Sequence, residues 1–481
     1  MLCGYGITST QGGLCGQSQG NDQCHSKGDA ELIIRNGNIL VGGKFSKGSI
    51  RIEGNLITRI DSSISEKNGE EIIDAAENYI IPGLIDIHTH LDDTIGKYRL
   101  ADDFLYGSLI AAKNGITSLY TFITETERNT LEERVDEFLK KGEKSIVNYG
   151  FHLTPVRFES GDIDYIKRLI DLGFSNFKFY TTYKNAGIFL SYDDIERVVN
   201  LIKREETVFL VHCEDESILE KNYCIDYQTP FDHALFRPIE AEVTAIEKII
   251  DIAKRTDARF HIVHCSTIEG ARLVEKHKKH LEISMETCPQ YLVLNEQHLR
   301  SENGHRYFCT PPLRSSENSS EMQRALKSGL FDIITTDHAP FFKKDKDENK
   351  DRLRLVPNGL AGLGALSHIT YSLLDGGIEG RLIALSTLLS ENPARIMNIY
   401  PRKGVIQEGS DADIVIVSEG ISPVQILPSL SDTYNPYEKI YSKLNFNYVI
   451  INGVLIVKGG EVINHSSKGR CLNVRDKGLQ K

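Results

Sequence analysis

His88 and His90 stand one residue apart at the end of the apolar run Tyr79-Ile-Ile-Pro-Gly-Leu-Ile-Asp-Ile. Alternate side chains on a strand share a face, so the two imidazoles can address one ion together, and neutral imidazole is a common ligand for zinc-like metals. Two polar residues closing a buried strand would look the same. Metal chemistry is favoured because four further candidates each follow an apolar, strand-like run. Lys178 follows Phe174-Ser-Asn-Phe, His212 follows Val208-Phe-Leu-Val, His264 follows Phe260-His-Ile-Val, and Asp337 follows Ile333-Ile-Thr-Thr. Five strand ends point at one chemistry.

The elements that must carry these residues alternate. Helical periodicity is plain in Ile195 to Lys203, Glu240 to Lys254 and Glu269 to Lys279, each lying between runs of strand length. Alternating β and α implies a parallel sheet, open or closed. Candidates at many strand ends favour a closed (β/α)8 TIM-type barrel over residues 82–400, because its mouth gathers the C-terminal ends of different strands, whereas an open sheet concentrates ligands at one switch point. Before the barrel, residues 31–81 alternate apolar runs with Asn/Gly turns, and a matching pattern returns over 401–460 in Asp413 to Val417 and Tyr448 to Val457. One small antiparallel module, a β-sandwich built from both chain regions, is expected.

The chain has 481 residues, 40% of them apolar and 26% charged, the balance of a soluble globular protein large enough for a barrel and a smaller module. A net charge of -11 argues against a nucleic-acid surface, and no apolar run is long enough to span a membrane. A small-molecule substrate is the better expectation. Nine cysteines, an odd number spread along a long chain, read as reduced thiols of a cytoplasmic protein, with Cys213, Cys265, Cys288 and Cys309 as core residues. Residues 1–30, rich in Gly, Ser, Thr, Gln and Asn, read as a disordered tail; Cys3, Cys15, Cys24 and His25 there fit no standard zinc spacing. Residues 461–481 read as a polar C-terminal tail, solvated or acting as a subunit-contact arm.

With these residues in hand, the chain resembles the amidohydrolase superfamily, and within it the dihydropyrimidinase and hydantoinase group of cyclic amidases. The likeness covers roughly residues 31 to 460 through Pro82-Gly-Leu-Ile-Asp-Ile-His88-Thr-His90, Phe177-Lys178-Phe-Tyr-Thr-Thr-Tyr183, Val211-His212-Cys-Glu214, Val263-His264-Cys-Ser266, Glu286-Thr-Cys-Pro-Gln-Tyr291, Thr310-Pro-Pro-Leu-Arg314, Thr336-Asp337-His338-Ala-Pro340 and Asn392-Pro-Ala-Arg395. The resemblance implies that His88, His90 and Asp337 hold one divalent ion and His212 and His264 a second, both zinc. Lys178, carbamylated to N6-carboxylysine, would bridge them. It implies further that Asp337 is the general base, that Tyr183, Thr310 and Asn358 contact a cyclic amide, and that the chain forms a homotetramer. Thr310 stands where the family usually has Ser.

Three readings of function are distinguished on particular residues. Hydantoin or dihydropyrimidine ring opening to an N-carbamoyl amino acid is favoured by Tyr183, five residues after Lys178. Allantoinase or another cyclic amidase is the alternative; dihydroorotase fits poorly, because Asp92 stands where an Arg would pair with the substrate carboxylate. A non-catalytic dihydropyrimidinase-like scaffold is disfavoured by the retention of all six candidate ligands.

Overall fold

The computed structural model describes residues 31–423 and 432–473. The tail of residues 1–30, with its cysteines and His25, lies outside the described residues.

Eight parallel strands stand side by side in chain order: Leu84–Thr89, Ile116–Thr124, Asn148–Thr154, Asn176–Tyr180, Val208–His212, Arg259–Ile262, Ile283–Thr287 and Ile333–Ile334. A parallel bridge between Thr89 and His338 and the bond from His90 N to His338 O at 2.7 Å join the last strand to the first. The TIM-type barrel read from the sequence is therefore the fold. These strands are buried on both faces, as a parallel sheet covered by helices requires. Glycine is needed at Gly83, where a Cβ would lie 2.2 Å from Thr117 Oγ1 and push the first strand off the second.

The covering helices follow their apolar periodicity. Tyr192–Ile202 buries Ile195, Val198, Val199 and Ile202, and Ser191 caps it by accepting from Asp194 N. Each such side chain contributes on the order of 2 kcal/mol relative to exposure. The segments expected at 240–254 and 269–279 are the helices Ile239–Thr256 and Ile268–His277.

The small module is one nine-stranded sheet made from both chain regions, with Tyr79–Pro82 antiparallel to Ile414–Val417 at its seam. It is mixed rather than purely antiparallel as expected. Glu31–Val41 runs parallel to Glu71–Asp74 and to Tyr79–Pro82, because the chain crosses over after Leu56–Asp61 instead of turning back. Where sheet meets barrel, Lys403 is buried between Asp411 and Asp413, and Asn148 of the third barrel strand donates to Asp413.

The polar final segment is also placed differently from expectation, as far as it is described. Arg470 O accepts from Tyr149 N and Tyr149 O from Leu472 N, so residues 470–472 pair with the third barrel strand of their own chain. Leu472 packs with Ile85, Ile87, Tyr120 and Ile333 in the barrel floor. An extended backbone next to a strand finds ladder partners whatever the polarity of its outward side chains.

Candidate metal centre at the barrel mouth

Asp86, His88 and His90 alternate along the first barrel strand and its end, so all three side chains face inward. His88 Nε2 lies 3.2 Å and His90 Nε2 3.3 Å from Asp337 Oδ1. The ligand atoms of this trio fall within 4.8 Å of one another. A divalent cation fits such a set.

The other candidates close a ring of contacts around this trio. Phe122 stacks on His90 at 4.8 Å between centroids, meets His88 edge-on at 4.8 Å, and lies 4.9 Å from Lys178 Nζ. Lys178 in turn lies 5.0 Å from the Tyr180 ring, which packs on His212. His212 meets His264 at 4.5 Å, and His264 returns to His88 at 5.4 Å. All six residues are thus brought together. Lys178 lies inside its strand rather than after it, and only 1% of it is exposed. Among the described residues no carboxylate lies within ion-pair distance of its ammonium, and burial pushes it down to about 8.

Imidazole protonation suits a cation. Burial holds His90 and His212 below the ordinary range and His264 well below it, which favours neutral rings; burial would lower His88 too, but Glu286 and Asp337 outweigh it and raise His88, a pull that a cation at this site would replace. His264 Nδ1 is buried without a hydrogen-bond partner among the described residues. His212 Nε2 donates to Glu214 Oε2 at 2.7 Å, and His88 Nδ1 meets Glu286 Oε1, which turns His88 Nε2 toward Asp337. Burial alone would lift the Asp337 carboxyl, but His88 and His90 hold it well below the usual carboxylate range.

His264 and Asp337 adopt left-handed backbone, with φ of 37° and 49°, and Tyr183 does so with φ of 67°. Non-glycine residues rarely hold that conformation, and where they do the surroundings impose it, commonly at functional sites. Tyr183 packs 5.2 Å from His212, beneath the Arg237 guanidinium at 5.1 Å. Asn358 Oδ1 is buried without a partner among the described residues, and the buried Thr310 hydroxyl lies beside Tyr183.

The sequence of residues 79–456 matches the model of the Amidohydrolase family. The chain belongs to the amidohydrolase family. It is 30% identical over 461 residues to a D-hydantoinase of Ralstonia pickettii, covering 92% of this chain and 99% of the relative. A D-phenylhydantoinase of Escherichia coli is 27% identical over 456 residues, covering 92% and 97%. Among solved structures, the dihydropyrimidinase of Brevibacillus agri superposes with a TM-score of 0.86 at 27% identity, covering 92% of this chain and 98% of that one.

This amidohydrolase also carries buried acids that the sequence reading quoted without a role. Glu286, from the seventh barrel strand, contacts His88, takes His261 Nε2 at 3.0 Å and accepts His264 N at 3.1 Å, so one carboxylate orients segments from the first and sixth strands. Glu214 joins His212 to Arg237; burial would raise it, but Arg237 and His212 bring it to about 2. Asp86 ties Thr336 Oγ1 to the first strand at 2.5 Å. Their signal was an acid inside an apolar strand run, where an unpaired charge is unaffordable. Asp92 faces Arg99 at 3.5 Å and Lys141 at 4.0 Å. Among the described residues, no helix is long and apolar enough to cross a membrane.

Proposed function

We propose that this amidohydrolase opens a cyclic amide, a hydantoin or dihydropyrimidine ring, to an N-carbamoyl amino acid. The observation that carries the reading is Lys178, a buried lysine without a counter-ion among the described residues, set amid four imidazoles and Asp337. The D-hydantoinase and dihydropyrimidinase relatives supply the substrate class. A bare ammonium there is costly and repels cations. The nitrogen lone pair of neutral Lys178 instead bonds to the carbon of carbon dioxide and the nitrogen gives up a proton, leaving an anionic carbamate.

His88, His90 and Asp337 would hold one divalent ion and His212 and His264 the other, with the Lys178 carbamate between them. Two such ions, zinc in our reading, supply an acidified water and a polarised carbonyl. The side chains do the rest. Asp337 takes a proton from the attacking water and delivers it to the leaving ring nitrogen. Burial pushes the Tyr183 hydroxyl up to about 12, so it stays protonated and donates to the oxygen on which charge develops. Thr310 and Asn358 orient the ring through buried polar atoms, of which Asn358 Oδ1 has no partner among the described residues. Reduced thiols at Cys213, Cys224, Cys265, Cys288 and Cys309 accord with the cytoplasm, and a homotetramer is our reading of the assembly.

The test is a turnover panel of hydantoin, dihydrouracil, allantoin and dihydroorotate on metal-replete protein, with elemental analysis. We expect hydantoin or dihydrouracil to be opened, with about two divalent ions per chain. Preference for allantoin would move the assignment to allantoinase, and undiminished ring opening by metal-free protein would refute the mechanism. Glu286→Gln is expected to weaken metal retention by about 10–100-fold, read by chelator competition, because it loosens the orientation of His88 and His264 together.

A further inference from the structure

Lys346 is 3% exposed, on the short helix Lys343–Asp347 that follows the last barrel strand. Its ammonium donates to two backbone carbonyls, Arg306 O at 3.1 Å and Phe308 O at 3.0 Å. Among the described residues no carboxylate lies within ion-pair distance of it. Burying an ammonium in this way is costly, so a role beyond filling space is called for. Phe308 O accepts a second bond, from Gly359 N at 2.8 Å. One carbonyl therefore holds together the segment leading into Thr310 and the turn Asn358-Gly359. That turn is also seated against the barrel: a Cβ at Gly359 would lie 2.4 Å from Ala339 O, two residues beyond Asp337.

From this geometry we infer that Lys346 is a positioning residue that sets Thr310 and Asn358 at the spacing needed to grip the substrate ring. The inference rests on the reading that Thr310 and Asn358 contact a cyclic amide. Neighbouring bonds reinforce the clamp, since Asp347 takes Arg306 Nε at 2.7 Å and His305 Nε2 at 2.9 Å. Burial pushes the Lys346 ammonium down to about 7, in keeping with a site that offers it carbonyl dipoles and no counter-charge. Lys346 has no part in the metal centre, so its loss separates ring binding from chemistry.

The experiment compares Lys346→Met, which keeps the stem and removes the donor, with Lys346→Arg, which restores donors, in the full-length metal-loaded enzyme. With hydantoin or dihydrouracil as substrate, Lys346→Met is expected to raise KM about tenfold while kcat changes less than about threefold. Metal content is expected to stay at the wild-type level and Lys346→Arg to recover at least half of the KM change on a logarithmic scale. Amide exchange at Gly359 is expected to quicken about tenfold or more in Lys346→Met, with strands carrying His88 and His212 unchanged. An unchanged KM, unchanged Gly359 exchange, or joint loss of kcat and metal would overturn the inference. Should Lys346→Met fail to fold, Lys346→Gln is read by the same criteria. If wild-type enzyme opens neither ring, the proposed function fails, whereas exchange at Gly359 still decides whether Lys346 holds the two segments.

Discussion

Lys178→Ala is expected to lose both divalent ions and at least about three orders of magnitude in turnover, or ~4 kcal/mol of transition-state stabilisation. The reason lies in what surrounds the side chain. Phe122 and Tyr180 flank its ammonium at 4.9 and 5.0 Å, and these rings also touch His88, His90 and His212. Lys178 therefore stands beside both groups of histidines, where in the proposed centre an anionic bridge would offset two dications. Removing it leaves neutral imidazoles and one carboxylate against four positive charges. Small carboxylic acids such as acetate or propionate are expected to restore part of the metal and part of the turnover by occupying the vacated volume. A variant with wild-type metal content and turnover would remove the carbamate from the mechanism.

Asp337→Asn is expected to separate the same two quantities. The amide keeps an oxygen where His88 and His90 now meet Asp337 Oδ1, so metal binding should survive, although more weakly. Proton transfer should not, because an amide cannot shuttle a proton between water and a leaving nitrogen. A general acid–base group contributes typically 10²–10⁴-fold, and turnover is expected to fall by about that factor in single-turnover assays on metal-replete variant. Near-normal turnover would assign the proton to a different base. The left-handed backbone of Asp337 is set by its neighbours, as His338 Nδ1 accepts from Gly362 N at 3.0 Å and His338 Nε2 meets Asp102 at 3.0 Å. The substitution should therefore leave the loop in place.

How much of this was legible in the sequence depends on whether the relevant signal was local. His88 and His90 announced themselves by spacing, and the remaining candidates by their position against strand-like runs. Those runs also gave the barrel. Glu286 was visible as a residue but not as a partner of His88, because 198 positions separate them and only barrel closure makes them neighbours. Lys346 sits in the charged stretch Phe342-Lys-Lys-Asp-Lys-Asp-Glu-Asn-Lys, where nothing local marks it apart from its neighbours; its burial comes with the carbonyls of Arg306 and Phe308 that accept its ammonium. The same holds for residues 470–472, whose polar composition hides the backbone pairing with Tyr149. The parallel joins of the small sheet were equally hidden, since alternation of apolar residues does not say in which direction a strand returns. The partners of Asp92 were hidden too, since Arg99 and Lys141 come from the hairpin and helix around it.

The seam of the nine-stranded sheet carries a consequence for biosynthesis. Tyr79–Pro82 is complete early in translation, but the strand that pairs with it begins at Ile414. At ribosomal speeds of about 5–20 residues per second, that delay is on the order of tens of seconds. Throughout it, the nascent chain presents an open edge of apolar strand beside the growing barrel, the kind of template on which other chains nucleate. Yield of the native enzyme in a cell should accordingly depend on holding chaperones and on elongation rate more than on the stability of the finished fold.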